Sequence, residues 1–439
     1  MKKGIAALCL LAMVLGMLGG CRKTEPEASQ SAGASPEALP VIHMCVDAAY
    51  TAGGGSPWPE LLDAVPGMGR EFTVLREALP VKDPERDAQL TRIRTEIMAG
   101  KGPDLFFCDC LDIYYLPDVS SGALFPFPEA AMDRRIFLPL DDYIAKAQRM
   151  EWDQLLPAVM EAGRGEEGQM LLPLAYRFTA MGYDREKFQL KEALPMTWDQ
   201  MLESQDQLVQ NAAALTSFDG VLGALADYDR EELRFSQEEL LLRAEQVWGQ
   251  EEKWRGGQLD EIYEWNEEAG FFRPKEGVEP LNFGNFERAQ IDGHADLSLS
   301  GKEYIMVPLY NTAGGVTAQV TAFAAINRNT QFPEECFRVL DTLLSKSQLQ
   351  KSGIYACMGG IAPYQGLGSS AEPFCGWHMN DWNREQFNQI VGQINAAQFY
   401  TPLNEELGKI VPERFNNGTP MEKIVPGVYR TMEMLLAES

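Results

Sequence analysis

The sequence contains 439 residues, of which 64 are acidic and 38 are basic, so its formal net charge is −26 at neutral pH. This charge disfavours nucleic acids and anionic lipid surfaces as partners, because both are themselves negative. The three histidines, His43, His294 and His378, have no close ligand spacing, so we predict no metal site, and no pattern indicates a cofactor.

The N-terminus is typical of an export signal. Two lysines precede an apolar stretch from Ile5 to Leu18, which is too short for a comfortable membrane-spanning helix. The following "LGGC" resembles the bacterial lipobox, which implies that residues 1–20 are removed and that Cys21 is lipidated. A diacylglyceryl group carries two chains, which is sufficient for stable anchoring. The alternative is an ordinary signal peptide with an incidental cysteine.

Residues 21–40 are predicted to form a disordered tether. The stretch "RKTEPEASQSAGASPEALP" is rich in Ser, Ala, Glu and Pro and contains no aromatic residue. Such a composition cannot bury enough apolar surface to order the chain. We therefore expect an exported protein that is held by lipid on the outer face of the cell membrane.

The next part of the chain alternates strand and helix patterns. Apolar runs at 41–47 and 105–108 enclose a further strand and two helical patterns, the second of which ends at Met98. This alternation predicts an α/β lobe with a largely parallel sheet. Ligands collect beyond the carboxyl ends of such strands, so loops 47–56 and 108–115 are predicted to border a cleft.

The stretch "EIMAGKGPDLFF" superficially resembles a phosphate-binding loop at Gly100, Lys101 and Gly102. A phosphate loop leads from a strand into a helix, whose N-terminal N–H groups face the anion. Here the helix comes first, and its C-terminus presents carbonyl groups instead. Gly100 is therefore predicted to end the helix in a left-handed conformation, without binding a nucleotide.

Helix start signals continue in the second half of the chain. Thr197 with Gln200, and Ser236 with Glu239, have the spacing of capping boxes. The terminal stretch "PGVYRTMEMLLAE" is predicted to be a short closing helix. Residues 41–439 are long for a single core and predict two lobes.

Several stretches are similar, in order, to successive motifs of one family: "RIRTEIMAGKGPDLFFCD", "FLPLDDYI", "LLPLAYRFTAMGYDREKF", "MTWDQMLE", "AFAAINRNTQFPEECFRVLDTLLSKSQLQ" and "FNNGTPMEKI". Together they span nearly all of residues 41–439 and resemble the extracellular solute-binding proteins of bacterial ABC importers, of the carbohydrate-binding type. In "MTWDQMLE", Gln200 replaces the acid that is usual in the family. The resemblance implies an α/β, two-lobe periplasmic-binding-protein-like fold of type II, with a ligand cleft between the lobes.

The resemblance also implies domain boundaries and partners. The chain would cross between lobes near 173–178, 318–323 and 360–363. The N-terminal lobe would comprise 41–175 and 322–360, and the C-terminal lobe 176–321 and 361–439. A monomer of this kind binds a small solute, here a sugar or oligosaccharide, and delivers it to the membrane permease subunits of an ABC importer.

The family's cleft, mapped onto this chain, nominates ligand-binding residues at strand ends, at the first crossover and in later loops: Asp47, Tyr50, Asp109, Tyr114, Tyr176, Arg177, Tyr310, Trp377 and Tyr400. The alternative for each aromatic residue is a place in the core or on the surface of a lobe. The alternative for each aspartate is a capping or solvated carboxylate. Arg177 has two open roles. It would pair with a carboxylate of the opposite lobe, or bind an acidic ligand.

Two other functions remain open at this point. A receptor of the same fold for a peptide, a polyamine or another small solute is one. A secreted glycan-acting enzyme is the other, although the motifs GxSxG and HExxH are absent and chance carboxylate pairs carry little weight among 64 acidic residues. We therefore predict a binding protein and no enzyme. Neither the solute nor any disulfide pairing follows from the sequence.

Overall fold

The computed structural model describes residues 39–47, 58–80, 85–110, 122–214, 218–255, 263–266, 271–274, 276–283, 301–351, 360–365 and 379–439. The predicted signal and nearly all of the predicted tether lie outside these residues. By their contacts, residues 39–439 form one unit. Within the described residues, no helix combines the length and the apolar character that a membrane crossing requires.

The strands are β1 Val41–Asp47, β2 Thr73–Ala78, β3 Leu105–Asp109, β4 Arg164–Gly165, β5 Gly168–Gln169, β6 Leu171–Asp184, β7 Ala226–Asp227, β8 Glu232–Leu233, β9 Tyr263–Asn266, β10 Phe271–Pro274, β11 Val278–Phe283, β12 Tyr304–Pro308, β13 Val316–Ile326 and β14 Ile394–Phe399. The helices are α1 Trp58–Asp63, α2 Glu85–Met98, α3 Pro128–Asp133, α4 Asp141–Ile144, α5 Pro157–Met160, α6 Trp198–Glu203, α7 Gln207–Ala214, α8 Phe218–Leu222, α9 Gln237–Arg255, α10 Pro333–Leu343, α11 Lys346–Lys351, α12 Asp381–Val391, α13 Pro402–Gly408, α14 Ile410–Asn417 and α15 Met421–Glu438.

The first three strands confirm the predicted alternation. β1 pairs in parallel with both β2 and β3, with the two helices α1 and α2 between them in the chain. α2 buries Leu90, Ile93 and Ile97. Gly100 follows with φ +71°, and the chain then enters β3. The turn at Gly100 is therefore the predicted helix end, in a conformation that glycine adopts without steric cost.

Two long strands join the first group of strands to the rest of the sheet. The first part of β6 pairs with β13, whereas residues from Phe178 onward pair with β11 and β12. β13 changes partners in the same way, because Val316–Val320 pair with β14 and Ala322–Ile326 pair with β3 and β6. Both strands thus belong to two groups of strands, and their partners change near Tyr176 and Thr321.

A third segment lies beside this point of change. Tyr176 exchanges backbone hydrogen bonds with Ile361, at 2.9 and 2.8 Å between nitrogen and oxygen. The three segments that were predicted to cross between lobes therefore contact one another or lie close together. The lobe boundaries themselves stay predictions.

The helices of the second half follow their sequence signals, with one correction. The capping box of Thr197 and Gln200 is present, and Ser236 Oγ accepts from the backbone N–H of Glu239. The closing helix, however, is longer than predicted, because α15 begins at Met421 and continues through Pro426. Its buried residues recur at helical spacing from Met421 to Leu436, so packing holds the first turns despite the proline.

We predict that Gly360→Ala destabilises the protein by about 1–3 kcal/mol, because the site has no room for a methyl group. An added Cβ would lie 2.3 Å from Thr321 Oγ1, 2.8 Å from Ala175 Cβ and 2.9 Å from the backbone nitrogen of Tyr176. Urea unfolding measures the change. Gly427→Ala in α15 is the control, since nothing lies within 4 Å of its Cβ, and it should be neutral or stabilising. Equal unfolding free energies for Gly360→Ala and the unmodified protein would contradict the prediction.

Candidate functional site

Polar side chains collect on one face of the sheet where β6 and β13 change partners. In β13, "VTAQVT" places Thr317, Gln319 and Thr321 at alternate positions, so all three face the same side. Gln398 of β14 pairs with Gln319 and faces the same way. Three of them, together with residues of β6, border a cavity of about 50 Å³. It is lined by Arg177, Phe178, Thr179, Gly220, Leu309, Val316, Thr317, Gln319 and Gln398.

Arg177 is the charged residue of this cavity. Its guanidinium Nε donates to Gln319 Oε1 at 2.6 Å, and the side chain is half-buried. None of the lining residues is acidic, and no described carboxylate forms an ion pair with Arg177. Gln319 is 9% exposed, and its Nε2 has no hydrogen-bond partner among the described residues. The cavity therefore presents hydrogen-bond donors whose acceptors are not supplied by the described part of the chain.

Two predicted aromatic residues, Tyr176 and Tyr310, are buried in this structure. The ring of Tyr176 stacks on Phe178, with centroids 6.3 Å apart. The hydroxyl of Tyr310 donates to Gln393 Oε1 at 2.8 Å, and burial raises the pKa of this phenol. Both rings pack in the core, and a ligand contact by either stays a prediction.

The carboxylate of Asp47 is bound within the protein. Its two carboxylate oxygens accept from the Arg86 guanidinium at 2.8 and 3.1 Å, and Oδ2 also accepts from the backbone N–H of Leu124 at 2.7 Å. Arg86 in turn donates to the carbonyl oxygens of Pro80 and Gly122. Both charged side chains are 1% exposed. Asp47 and Arg86 thus connect the end of β1 with Pro80 and with residues 122–124. A ligand contact by Asp47 stays a prediction.

The remaining predicted residues divide into two groups. Asp109 and Tyr400 border the junction, because Asp109 pairs with Ala322 of β13 and Tyr400 directly follows β14. Asp109 is buried and Tyr400 is half-buried. Tyr50, Tyr114, Trp377 and the predicted lipidation site Cys21 lie outside the described residues.

The sequence prediction missed the polar residues of β13 and β14. The signal was present, since Thr317, Gln319 and Thr321 alternate with apolar residues in a strand whose every residue is buried. Such alternation in a fully buried strand indicates that one face meets a polar environment. Gln398 gives no comparable local signal, because its place beside Gln319 depends on pairing between distant segments.

Glu129 is a half-buried acid next to the junction. It lies in the first turn of α3, and its carboxyl accepts from the backbone N–H of Phe399 in β14. Its Oε2 is inaccessible to solvent and has no partner among the described residues. Burial first, and then the negative charge of Asp133, raise its pKa to about 8, against two backbone N–H donors that lower it. Glu129 is therefore mostly protonated at neutral pH.

The fold is shared with solved structures of binding proteins. The sugar-binding protein MalE from Xanthomonas citri has 13% identity and a TM-score of 0.56, over 91% of this chain and 98% of that one. A family 1 extracellular solute-binding protein from Alicyclobacillus acidocaldarius has 12% identity and a TM-score of 0.53, over 92% and 100%. An ABC substrate-binding protein from Listeria monocytogenes, in complex with cycloalternan, has 12% identity and a TM-score of 0.53, over 91% and 99%.

These likenesses show the fold, an α/β architecture of the two-lobe solute-binding type with a mixed central sheet. At such low identity they show the fold alone. No protein-family model matches the chain, and no curated protein sequence matches it.

We predict that Glu129→Gln removes a pH dependence of stability. Between about pH 4.5 and 8 the folded protein holds a proton on Glu129 that the unfolded chain has released, so this group lowers the free energy of unfolding as the pH rises. As the pH rises over that range, the free energy of unfolding of the variant should therefore increase relative to that of the unmodified protein, by up to about 1.4 kcal/mol per pH unit. Urea unfolding at pH 5, 6.5 and 8 measures it.

The matched control is Glu385→Gln, which removes one carboxylate at an exposed position of α12. It separates the effect of burial at position 129 from a general change in net charge. The prediction is contradicted if Glu129→Gln and the unmodified protein differ in stability by the same amount at every pH from 5 to 8.

Proposed function

We propose that this protein, which has the fold of two-lobe solute-binding proteins, captures a small solute outside the cell and delivers it to the permease of an ABC importer. The observation that carries the proposal is the polar cavity at the point where β6 and β13 change partners. All of the lining residues belong to the proposed C-terminal lobe and lie next to the strand junction. A solute that binds there and also contacts the N-terminal lobe would favour one arrangement of the two lobes.

A sugar or oligosaccharide is the solute that the lining favours. Amide and hydroxyl groups, supplied here by Gln319, Gln398 and Thr317, donate to and accept from sugar hydroxyls. The names of two of the similar structures, a sugar-binding protein and a complex with cycloalternan, agree with this choice. A polyamine fits less well, because the lining contains an arginine and no acidic residue.

Binding without catalysis is part of the proposal. The four described cysteines, Cys45, Cys108, Cys110 and Cys336, are free and buried. Burial raises the pKa of each thiol, so none is present as the nucleophilic thiolate at neutral pH. A glycan-acting enzyme would consume the sugar that it binds, which gives a direct test.

The lobes are proposed to be 41–175 with 322–360, and 176–321 with 361–439. The adjacency of Ala175, Tyr176, Thr321 and Gly360 supports these boundaries, since a short hinge requires its crossing segments to lie together. Lipid attachment at Cys21 is proposed from the sequence.

We predict that a saccharide will raise the melting temperature of the protein and be recovered intact. A thermal-shift screen over neutral and acidic oligosaccharides, peptides and polyamines identifies the solute, and chromatography of the saccharide after incubation shows whether it is cleaved. Small-angle scattering should then give a smaller radius of gyration in the presence of the solute. Stabilisation by a peptide or an amine but by no saccharide would overturn the choice of sugar, and cleavage products would favour the enzyme.

We also predict that Cys21→Ser moves the protein from the membrane fraction to the aqueous fraction. The lipid can be attached only through the cysteine thiol, so serine removes the anchor. Cell fractionation with a high-salt wash measures the distribution, and a serine substitution at Cys336, which is buried and distant in sequence, is the control. Retention of Cys21→Ser in the washed membranes would place the anchor elsewhere.

A further inference from the structure

We propose that the solute carries a carboxylate that binds to Arg177, so that the sugar is an acidic one containing uronic acid. This inference rests on the proposed function, because it specifies the ligand of the same cavity. It begins from the charge balance of the site. In a chain of 64 acidic and 38 basic residues, the cavity is lined by one arginine and by no acid.

Three other arginines of the described residues are each paired with a carboxylate. Arg86 is buried against Asp47, Arg328 contacts Glu167 at 2.6 Å, and Arg338 contacts Glu71 at 2.5 Å. Arg177 has no such carboxylate among the described residues, although it is half-buried. Partial burial of an unpaired charge is unfavourable, and a carboxylate from the ligand would satisfy it.

Gln319 prepares the guanidinium for that ligand. Its Oε1 accepts from Arg177 Nε at 2.6 Å, which fixes the rotation of the amide, because the opposite rotation would direct N–H groups at N–H. The amide Nε2 is then a buried donor without a partner among the described residues. With Nε occupied, Arg177 keeps the N–H groups of its two terminal nitrogens. The donors on Arg177 and Gln319 require acceptors.

The cavity has room for a small group of the ligand. Its volume is about 50 Å³ and it is open to solvent, so the rest of a bound solute can extend out of it. A guanidinium fork matches the two oxygens of a carboxylate, with geometry that a lone hydroxyl cannot reproduce. The carboxylate of a uronic acid projects from its ring, so it can enter the cavity while the ring stays outside.

The test compares uronic-acid oligosaccharides of several linkages with neutral oligosaccharides of the same linkages, by isothermal titration calorimetry. For the linkage that the protein recognises, the uronic-acid oligosaccharide should bind at least 10-fold more tightly than the neutral one. Arg177→Gln should remove that preference, weakening the acidic sugar about 10- to 100-fold and the neutral one little. Gln319→Glu keeps the size of the side chain and adds a competing carboxylate, so it should have the same effect.

Arg164→Gln is the control, because it removes one positive charge at an exposed ion pair with Asp141 and should leave both affinities unchanged. Circular dichroism and the melting temperature of each variant show that it is folded. Equal affinity for neutral and acidic sugars, unchanged by Arg177→Gln, would overturn the inference and leave the proposed function standing. A preference for sugar phosphates over uronates would overturn the assignment of a carboxylate as the anionic group of the solute. Binding of no saccharide of any kind would overturn the choice of sugar in the proposed function, and this inference with it.

Discussion

The rest of the structure depends on the sharing of β6 and β13 between two groups of strands. Each strand is hydrogen-bonded to one set of neighbours along its first part and to another set along its second part. The backbone at the change of partners therefore lies beside both groups. This crowding favours glycine at position 360, where an added Cβ would lie within 3 Å of three neighbouring residues. It also gives Arg177 and Gln319, which are distant in sequence, a common cavity.

Two arginines differ in the groups that balance or hold their guanidinium. Arg86 is fully buried, and its charge is balanced by Asp47 inside the protein. Removing one partner of such a buried pair typically costs about 3–5 kcal/mol, which identifies the pair as part of the framework. Arg177 is held by a neutral amide instead, and no described carboxylate forms an ion pair with it. The proposed binding role of Arg177 follows from this difference in partners.

Local patterns predicted the parts of the fold that depend on neighbours in sequence. The apolar run at Val41–Asp47 is a strand with the predicted bounds, and Gly100 ends α2 as expected. α15 was predicted too short, because a proline usually ends a helix, whereas packing of the residues around Pro426 outweighs that preference here. The cavity was only partly predictable, since Arg177, Gln319 and Gln398 meet through strand pairing that no local pattern encodes.

The net charge of −26 bears on how an acidic sugar would reach this cavity. A strongly negative protein repels an anion at long range, and this repulsion slows the encounter at low ionic strength. At physiological ionic strength the Debye length is about 8 Å, so distant carboxylates are largely screened. A carboxylate bound in the cavity would lie within hydrogen-bonding distance of Arg177 and Gln319, where screening is weak. Selectivity for an anion can therefore arise from a few donors in contact with it, even when the protein as a whole carries charge of the same sign.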